Sequence, residues 1–283
     1  MLDYKRLKDI ELIVSDVDGT LLSDEGSLGE KTKYLIKELK KHGVMFSFAS
    51  GRLHSALLNL ADELNIRVPI ISLDGSVIKS VSNKEYVHQF FLKKKHVKKA
   101  VELSEQYLVN IALCHTDAIY FTESNSVIPK LLDKYGAIYK EVKSYDDYLD
   151  ETLEIVFAGD NRRAVSFLRD KFSFPFTFGC SISFFKSHIY DDIYYLEVRR
   201  SGSSKGKALL RLIRYLNVSE INTAVIGDWY NDISLFETKA YKVCVQNAIA
   251  ELRRNADYVL KKNNNEEGVT EFFEAILKAK KEK

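Results

Sequence analysis

The segment IELIVSDVDGT, residues 10–20, decides how the rest of the chain is read. Ile10 to Val14 form a short, β-branched apolar run that stops in an Asp/Gly cluster, the pattern of a buried parallel strand delivering a loop. In an extended chain Asp16 and Asp18 project to one side, about 6.6 Å apart along the backbone, and Gly19 permits the sharp turn that follows. Two carboxylates around one reacting group suit phosphate-ester chemistry. One of them can be an ionised nucleophile that forms an aspartyl-phosphate, while the other protonates the leaving oxygen and then activates water. The same letters also spell an ordinary Asp/Gly turn after a strand, so the segment has to be weighed with its neighbours.

Working outward, Tyr34, Leu35 and Leu39 recur at helical spacing between Gly29 and Gly43, and Val44 to Ala49 then read as a second strand ending in SGR. A helix from about Leu53 to Leu64 and a third strand, Val68 to Leu73, follow. Strand, helix, strand, helix, strand is the pattern of a parallel sheet covered by helices, and such sheets bind ligands beyond the carboxyl ends of their strands. After Gly75 the pattern changes. SVIKS, SNKE and YVHQFF alternate like a hairpin, and Lys93 to Leu108 read as a helix. Strand-like segments at Asn110–Cys114, Ala118–Thr122, Leu153–Ala158, Phe174–Cys180 and Ser181–Lys186 then mix with helical stretches at Ser126–Tyr135 and Asn161–Lys171. Parallel α/β order is expected to resume at Tyr194–Val198, with helix Ser204–Leu216, strand Thr223–Ile226, helix Asn231–Phe236, strand Lys242–Val245 and a last helix from about Glu267 to Leu277. The simplest architecture is a discontinuous core domain, residues 1–79 and 196–283, interrupted by an α+β cap at 80–195.

Three further strand ends carry chemistry. In SGR, the Ser50 hydroxyl and neighbouring N–H groups suit a phosphate at a helix N-terminus, and equally an N-cap. In SSKGKAL, Ser204 reads as a cap and Lys205 falls in the first helical turn, where the helix dipole disfavours a positive charge. A lysine countering a phosphate resolves that conflict; an exposed, mildly unfavourable lysine is the alternative. GDWYND supplies Asp228 and Asp232 four residues apart, hard oxygen ligands of the kind magnesium takes, or else a capped turn. Trp229 and Tyr230 beside them read as packing residues. Any one of these motifs has a bland explanation, but four strand ends of one sheet each offering a part of phosphate chemistry do not. Hydrolysis of a phosphate monoester is among the slowest uncatalysed reactions, with enzymatic enhancements up to ~10²¹, and calls for all these parts together.

Composition sets the limits. The 283 residues carry 46% hydrophobic and 29% charged side chains and three prolines, values of a chain folded throughout. A formal charge of +2, from 42 basic and 40 acidic residues, is too near balance for non-specific nucleic-acid binding. The basic stretches Lys93–Lys99 and Lys278–Lys283 read as solvated helix ends. Cys114, Cys180 and Cys244 form no metal or disulfide pattern and fit buried thiols in a reducing cytoplasm. No stretch approaches the ~18 apolar residues of a membrane span.

In order and spacing, DVDGT, ASGR, SSKGKAL and IGDWYND resemble the four motifs of the haloacid dehalogenase superfamily of phosphohydrolases. Within it the sequence is similar to the Cof-like group, where a large α/β cap lies between the second and third motifs. LDGSVI, QNAIAELRRNADYV and NNNEEGV also match, so the resemblance spans essentially the whole chain. It implies an α/β, Rossmann-like parallel-sheet core with helices on both faces and an inserted α+β cap that selects substrate. It further implies Asp16 as nucleophile, Asp18 as acid/base, and Mg2+ held by Asp16, the Asp18 carbonyl and Asp228, with Asp232 in support from outside the ligand set or through water. Val17, through its N–H, with Ser50, Gly51, Lys205 and Asn231, would contact phosphate. Asp74 and Ser76 stand where the family often has Asn and Ala, Arg200 where proline is common, and Gln246 where glycine is usual; none of these removes a catalytic group.

The expectation is a magnesium-dependent phosphatase of small phosphorylated metabolites, sugar phosphates first, that is cytoplasmic and plausibly monomeric, with neither nucleic acid nor membrane as partner. A phosphomutase using the same aspartyl-phosphate and a non-catalytic phosphometabolite-binding protein are the alternatives. Among cap side chains, Tyr86, His88, His115, Tyr120, Phe184, Phe185 and His188 are candidates to face substrate, most of the aromatic ones being core by ordinary expectation.

Overall fold

The strand inside the opening segment, Leu12–Ser15 (β1), is buried at all four positions, as a strand covered on both faces must be. A computed structural model gives the architecture and describes residues 3–83, 85–122, 138–187 and 192–282. The chain divides into two compact units: Met1–Gly51, Leu58–His88 and Ser204–Lys283 make the first, Arg52–Leu57 and Gln89–Ser203 the second.

In the first unit β1 is the fourth of five strands. It lies between Met45–Phe48 (β2) and Thr223–Gly227 (β12), followed by Tyr241–Cys244 (β13) and Tyr258–Val259 (β14), in the order β14-β13-β12-β1-β2. Every described pairing in this sheet is parallel. Helices Tyr4–Lys8 (α1), Glu30–Lys41 (α2) and Val269–Lys281 (α9) pack on one another. Phe273 of α9 meets Phe46 of β2 edge-on at 5.8 Å. Lys205–Leu216 (α6), Ile233–Phe236 (α7) and Ala250–Asn255 (α8) form a second packed series, and His54–Glu63 (α3) follows β2. The α/β core expected from the sequence is therefore present.

Several elements differ from the sequence reading. The third strand, Ile70–Ser72 (β3), touches the parallel sheet through a bridge between Ala49 and Ile71, and pairs antiparallel with Val77–Lys79 (β4) in a three-stranded sheet whose third member is Tyr86–Gln89 (β5). The segment expected as a helix from Asn231 is a single 3-10 turn, Tyr230–Asp232, ahead of the short α7. Trp229 and Tyr230, read from the sequence as packing residues, are 48% and 61% exposed and pack edge-on against each other at 5.3 Å.

The second unit is a six-stranded sheet with Lys94–Tyr107 (α4) and Arg162–Phe172 (α5). Its strands are Asn110–Cys114 (β6), Ile119–Phe121 (β7), Tyr139–Glu141 (β8), Glu154–Gly159 (β9), Cys180–Lys186 (β10) and Tyr194–Arg200 (β11), in the order β10-β11-β9-β6-β7-β8. β11 runs antiparallel between β10 and β9, which corrects the expectation that parallel order resumes at Tyr194. Hydrophobic alternation marks a strand but not its partner, and the partner sets the direction. Phe174–Phe178, expected to begin a strand, is a turn. Pro175 brings no N–H to a ladder, and Thr177 bonds backwards, its N–H to Ser173 O at 3.0 Å and its hydroxyl to Lys171 O at 2.6 Å. The helix expected at Ser126–Tyr135 and the side chain of His188 lie outside the described residues. Among the described residues no helix is long and apolar enough to cross a membrane.

Candidate active site

Register brings three strand ends level. Ser15 pairs with Ile226 on one side and Phe48 on the other. The ladder continues one step further, with Asp16 N–H donating to Ile226 O at 2.8 Å and Ala49 N–H to Ser15 O at 2.9 Å. The residues that follow these strands, Asp16, Ser50 and Asp228, therefore emerge together at the carboxyl edge of the sheet. Residues 189 positions apart in the chain then meet: Lys205 Nζ donates to Asp16 Oδ1 at 2.5 Å and to Asp232 Oδ1 at 2.7 Å.

Lys205 is the first residue of α6, capped by Ser204, whose side chain accepts from Lys207 N–H at 3.3 Å. The conflict between its charge and the helix dipole is real, and two carboxylates resolve it. Its exposure is 0%, so the ammonium is fully desolvated and held by these partners alone among the described ion pairs. Asp232 is equally buried and uses both oxygens: Oδ1 on Lys205, Oδ2 on the N–H groups of Asp228 at 2.9 Å and Trp229 at 3.1 Å. It thus fixes the lysine and the loop of Asp228 at once.

Asp228 accepts from the Thr20 hydroxyl at 2.7 Å. Gly19 lies against it with φ +76°, and a Cβ there would sit 2.6 Å from Asp228 Oδ2, so close approach as well as the turn requires glycine. The Gly19 carbonyl accepts from Asn247 Nδ2 at 2.8 Å. Asp18 has an exposed side chain and stands outside this carboxylate group; only its backbone was assigned to the metal. Val17 is buried, and its carbonyl accepts from the N–H groups of Leu21 and Leu22 at 3.0 and 2.9 Å. Ser50 is buried, its carbonyl taking the Asp74 N–H at 3.0 Å, and Gly51 approaches the Asp74 carboxylate. Asn231 Nδ2 donates to Asp74 Oδ1 at 2.9 Å. Asp74, a departure from the family pattern, can only accept here, which turns the Asn231 amide nitrogen toward it.

Thr20 and Asn247 were assigned no role from the sequence. Each lies within a segment already quoted, DVDGT and QNAIAEL, but a lone threonine or asparagine carries no periodic signal. Their partners are 208 and 228 residues away.

The electrostatics point one way. Burial pushes the Asp16 carboxyl well above its ordinary range; Lys205 pulls it back, while Asp232 and Asp228 push further. Asp228 is pushed up to about 6 by burial, then by the charge of Asp232, against the Thr20 hydroxyl. For Lys205 burial opposes the charge, yet Asp16, Asp232 and Asp74 outweigh it and the ammonium stays protonated. Asp16, Asp228 and Asp232 can each offer an oxygen within 4.8 Å of the others. Three buried carboxylates crowd one ammonium, and burial together with the crowding holds Asp16 and Asp228 back from ionising. An all-oxygen cluster of that kind fits a hard divalent cation, which would favour the charged carboxylates, and a soft metal has no thiolate or imidazole in it.

A model of haloacid dehalogenase-like hydrolases matches residues 13–273, and the chain belongs to that family. Among curated relatives, a phosphatase of Bacillus subtilis, YwpJ, is 25% identical over 95% of this chain and 100% of its own length. The 5-amino-6-(5-phospho-D-ribitylamino)uracil phosphatase of the same organism, YcsE, is 25% identical over 92% and 93%. A haloacid dehalogenase-like hydrolase from Bacteroides thetaiotaomicron shares the fold at TM-score 0.83 and 24% identity, covering 94% of this chain and 99% of that one. A Thermotoga maritima protein does so at TM-score 0.81 and 25% identity, covering 94% and 97%.

Proposed function

We propose that this hydrolase is a magnesium-dependent phosphatase of small phosphorylated metabolites, sugar phosphates foremost, acting through an aspartyl-phosphate on Asp16. The observation that carries the reading is the buried chain Asp228, Asp16, Lys205, Asp232. A binding protein needs no nucleophile clamped to a lysine beside two further carboxylates. The relatedness to phosphatases, one of them acting on a phosphorylated ribitylamino compound, supports the substrate class.

In this mechanism Lys205 holds Asp16 by one oxygen, which opposes the effect of burial, favours the ionised carboxylate and orients it. A carboxylate oxygen of Asp16 attacks phosphorus as the bond to the ester oxygen breaks, and Asp18 gives that oxygen its proton, so a neutral alcohol leaves. Water then loses a proton to Asp18 and attacks phosphorus. Phosphate departs, and both aspartates return to their starting states. Ser50, the backbone of Val17 and Gly51, and Asn231 are assigned to the phosphoryl oxygens. Asp16, Asp228 and the Asp18 carbonyl would hold Mg2+, which would neutralise charge on the phosphoryl group. Asp232, with both oxygens already engaged, acts from behind. The unit inserted between the second and third motifs, about residues 80–195, is assigned to substrate selection.

The test is phosphate release from a broad panel of phosphomonoesters with magnesium and with EDTA. Turnover that needs magnesium and vanishes in Asp16→Asn supports the reading; turnover retained by Asp16→Asn refutes it. Isomerisation of a hexose 1-phosphate without free phosphate would identify a mutase instead.

A further inference from the structure

The stretch FSFPFTF, residues 172–178, alternates like a strand yet folds as the end of α5 and a turn. In a strand, every second ring would lie on one face of a sheet. Here only Phe172, the last residue of α5, enters the apolar core of the second unit. Phe174, Phe176 and Phe178 are 76%, 63% and 69% exposed, and Phe174 and Phe178 pack edge-on against each other at 5.3 Å. Single exposed apolar side chains are ordinary, whereas three phenylalanines within five residues form a patch that asks for a partner. Most other rings singled out from the sequence are engaged: Tyr120 and His115 with Tyr148 at 4.2 and 6.3 Å, Phe185 with Tyr195 at 5.6 Å, and Phe184 with the apolar core.

Cations surround this apolar turn. Lys99 Nζ donates to Thr177 Oγ1 and to Lys171 O, each at 2.9 Å, which ties the turn to α4. Lys171 Nζ lies 5.2 Å from the centre of the Phe176 ring. Cys180, two residues beyond Phe178, meets His96 at 3.3 Å and pairs across the sheet with Arg200. Burial, then the charges of Lys95, Lys93 and Lys99, hold the His96 imidazole below its ordinary value, and no carboxylate offsets them. Helix α4 begins with Lys94 and Lys95 behind Lys93, with no side-chain cap and no acid in its first turn, against the helix dipole. Nearby Lys94, Lys98 and Arg169 have carboxylates beside them. Among the described residues no ion pair takes Lys93, Lys95, Lys99, Lys171 or Arg200. Lys93–Lys99 read from the sequence as a solvated helix end; the fold sets an apolar patch against it.

We propose that this patch docks the protein reversibly on the surface of an anionic lipid bilayer, with Phe174, Phe176 and Phe178 entering the headgroup boundary and Lys93, Lys95, Lys171 and Arg200 facing lipid phosphates. Aromatic rings favour that boundary, and a basic surface beside an apolar one is the chemistry of proteins that lie on a membrane without crossing it. The near-balanced charge of the whole chain does not oppose this, because attraction to a charged surface acts within about 10 Å and is therefore local. Single-stranded nucleic acid fits less well. Stacking needs open ring faces in series, but Phe174 and Phe178 turn edge to face and Lys171 lies over Phe176. A symmetric contact with a second copy would set this patch against itself and bring the same cations together. The proposal does not depend on the phosphatase reading.

The experiment is co-sedimentation of the full chain with vesicles of phosphatidylcholine alone and of equimolar phosphatidylcholine and phosphatidylglycerol. The wild type should partition onto the anionic vesicles at least tenfold more strongly, and raising sodium chloride from about 50 to about 500 mM should reverse most of that binding. Each lysine near the surface is worth about fivefold, so Lys93→Gln with Lys95→Gln should weaken partitioning at least tenfold. Phe174→Ser, Phe176→Ser and Phe178→Ser combined should do the same at low salt. All five substituted side chains are exposed, and circular dichroism on heating checks that the variants stay folded. Equal partitioning onto both vesicles, or binding unchanged in both sets of variants, overturns the proposal. Binding of oligouridylate with none to vesicles overturns it in favour of nucleic acid. A dimer in ultracentrifugation that the phenylalanine variants abolish, with no vesicle binding by the wild type, overturns it in favour of a second copy.

Discussion

Lys205 shows how one side chain can be settled by two others. Its ammonium is fully buried between Asp16 and Asp232, and removing one member of such a group leaves the rest charged and unpaired. Lys205→Met should therefore cost about 3–5 kcal/mol of unfolding free energy in the metal-free protein, read from urea midpoints, besides abolishing turnover. Asp228→Asn should behave oppositely. It removes one of three crowded carboxylates, so the metal-free thermal midpoint should hold or rise, while the gain on adding magnesium disappears. Thr20→Val keeps the shape but strips the hydroxyl from Asp228, a loss of about 1–3 kcal/mol if the acceptor stays buried, measured with a weakened magnesium dependence of kcat. At this scale the sequence was informative where a residue type is unusual for its place. A lysine at a helix start asks for an anion, and Lys205 has two. Thr20 is unremarkable anywhere, and its bond to Asp228 was not legible.

Among elements, α6 shows what a helix terminus must satisfy. Ser204 caps it, Lys205 points into the carboxylates, and Gly206 donates its N–H to Ser234 Oγ at 3.0 Å. A Cβ on Gly206 would overlap the Ser234 carbonyl, so the small residue sets how closely α6 approaches α7. Gly206→Ala should push the two apart, costing about 1–3 kcal/mol by calorimetry and lowering kcat, because the displaced helix carries Lys205 with it. Strand and helix positions followed from periodicity for β1, β2, β6, α4 and α5. It located β11 but gave the wrong direction for it, and it misread the turn at Phe174–Phe178 as the start of a strand. Both failures concern pairing, a relation between distant segments, whereas periodicity reports only which faces are buried.

For the molecule as a whole, the first unit is assembled from three stretches of chain with the second unit's residues between them. The proposed magnesium ligands all belong to the first. Trp229, the only tryptophan in the sequence, sits next to Asp228 and is about half exposed, which makes its emission a local reporter. Magnesium at 100 times its dissociation constant should stabilise the first unit by about 2.7 kcal/mol, visible as a higher midpoint of Trp229 emission on heating and reversed by EDTA.

By itself the sequence determined the residue types: an aspartate pair after the first strand, a serine, a lysine and a second aspartate pair after others, and a long insertion among them. These were readable because strand ends and helix starts are local, with distinct chemical preferences. Tertiary structure alone decided that Asp16, Lys205, Asp228 and Asp232 close on one another and that Asp74 engages Asn231. The physical reason is register. Pairing Ser15 with both Phe48 and Ile226 fixes which distant residues emerge side by side, and no local pattern in the chain encodes that choice.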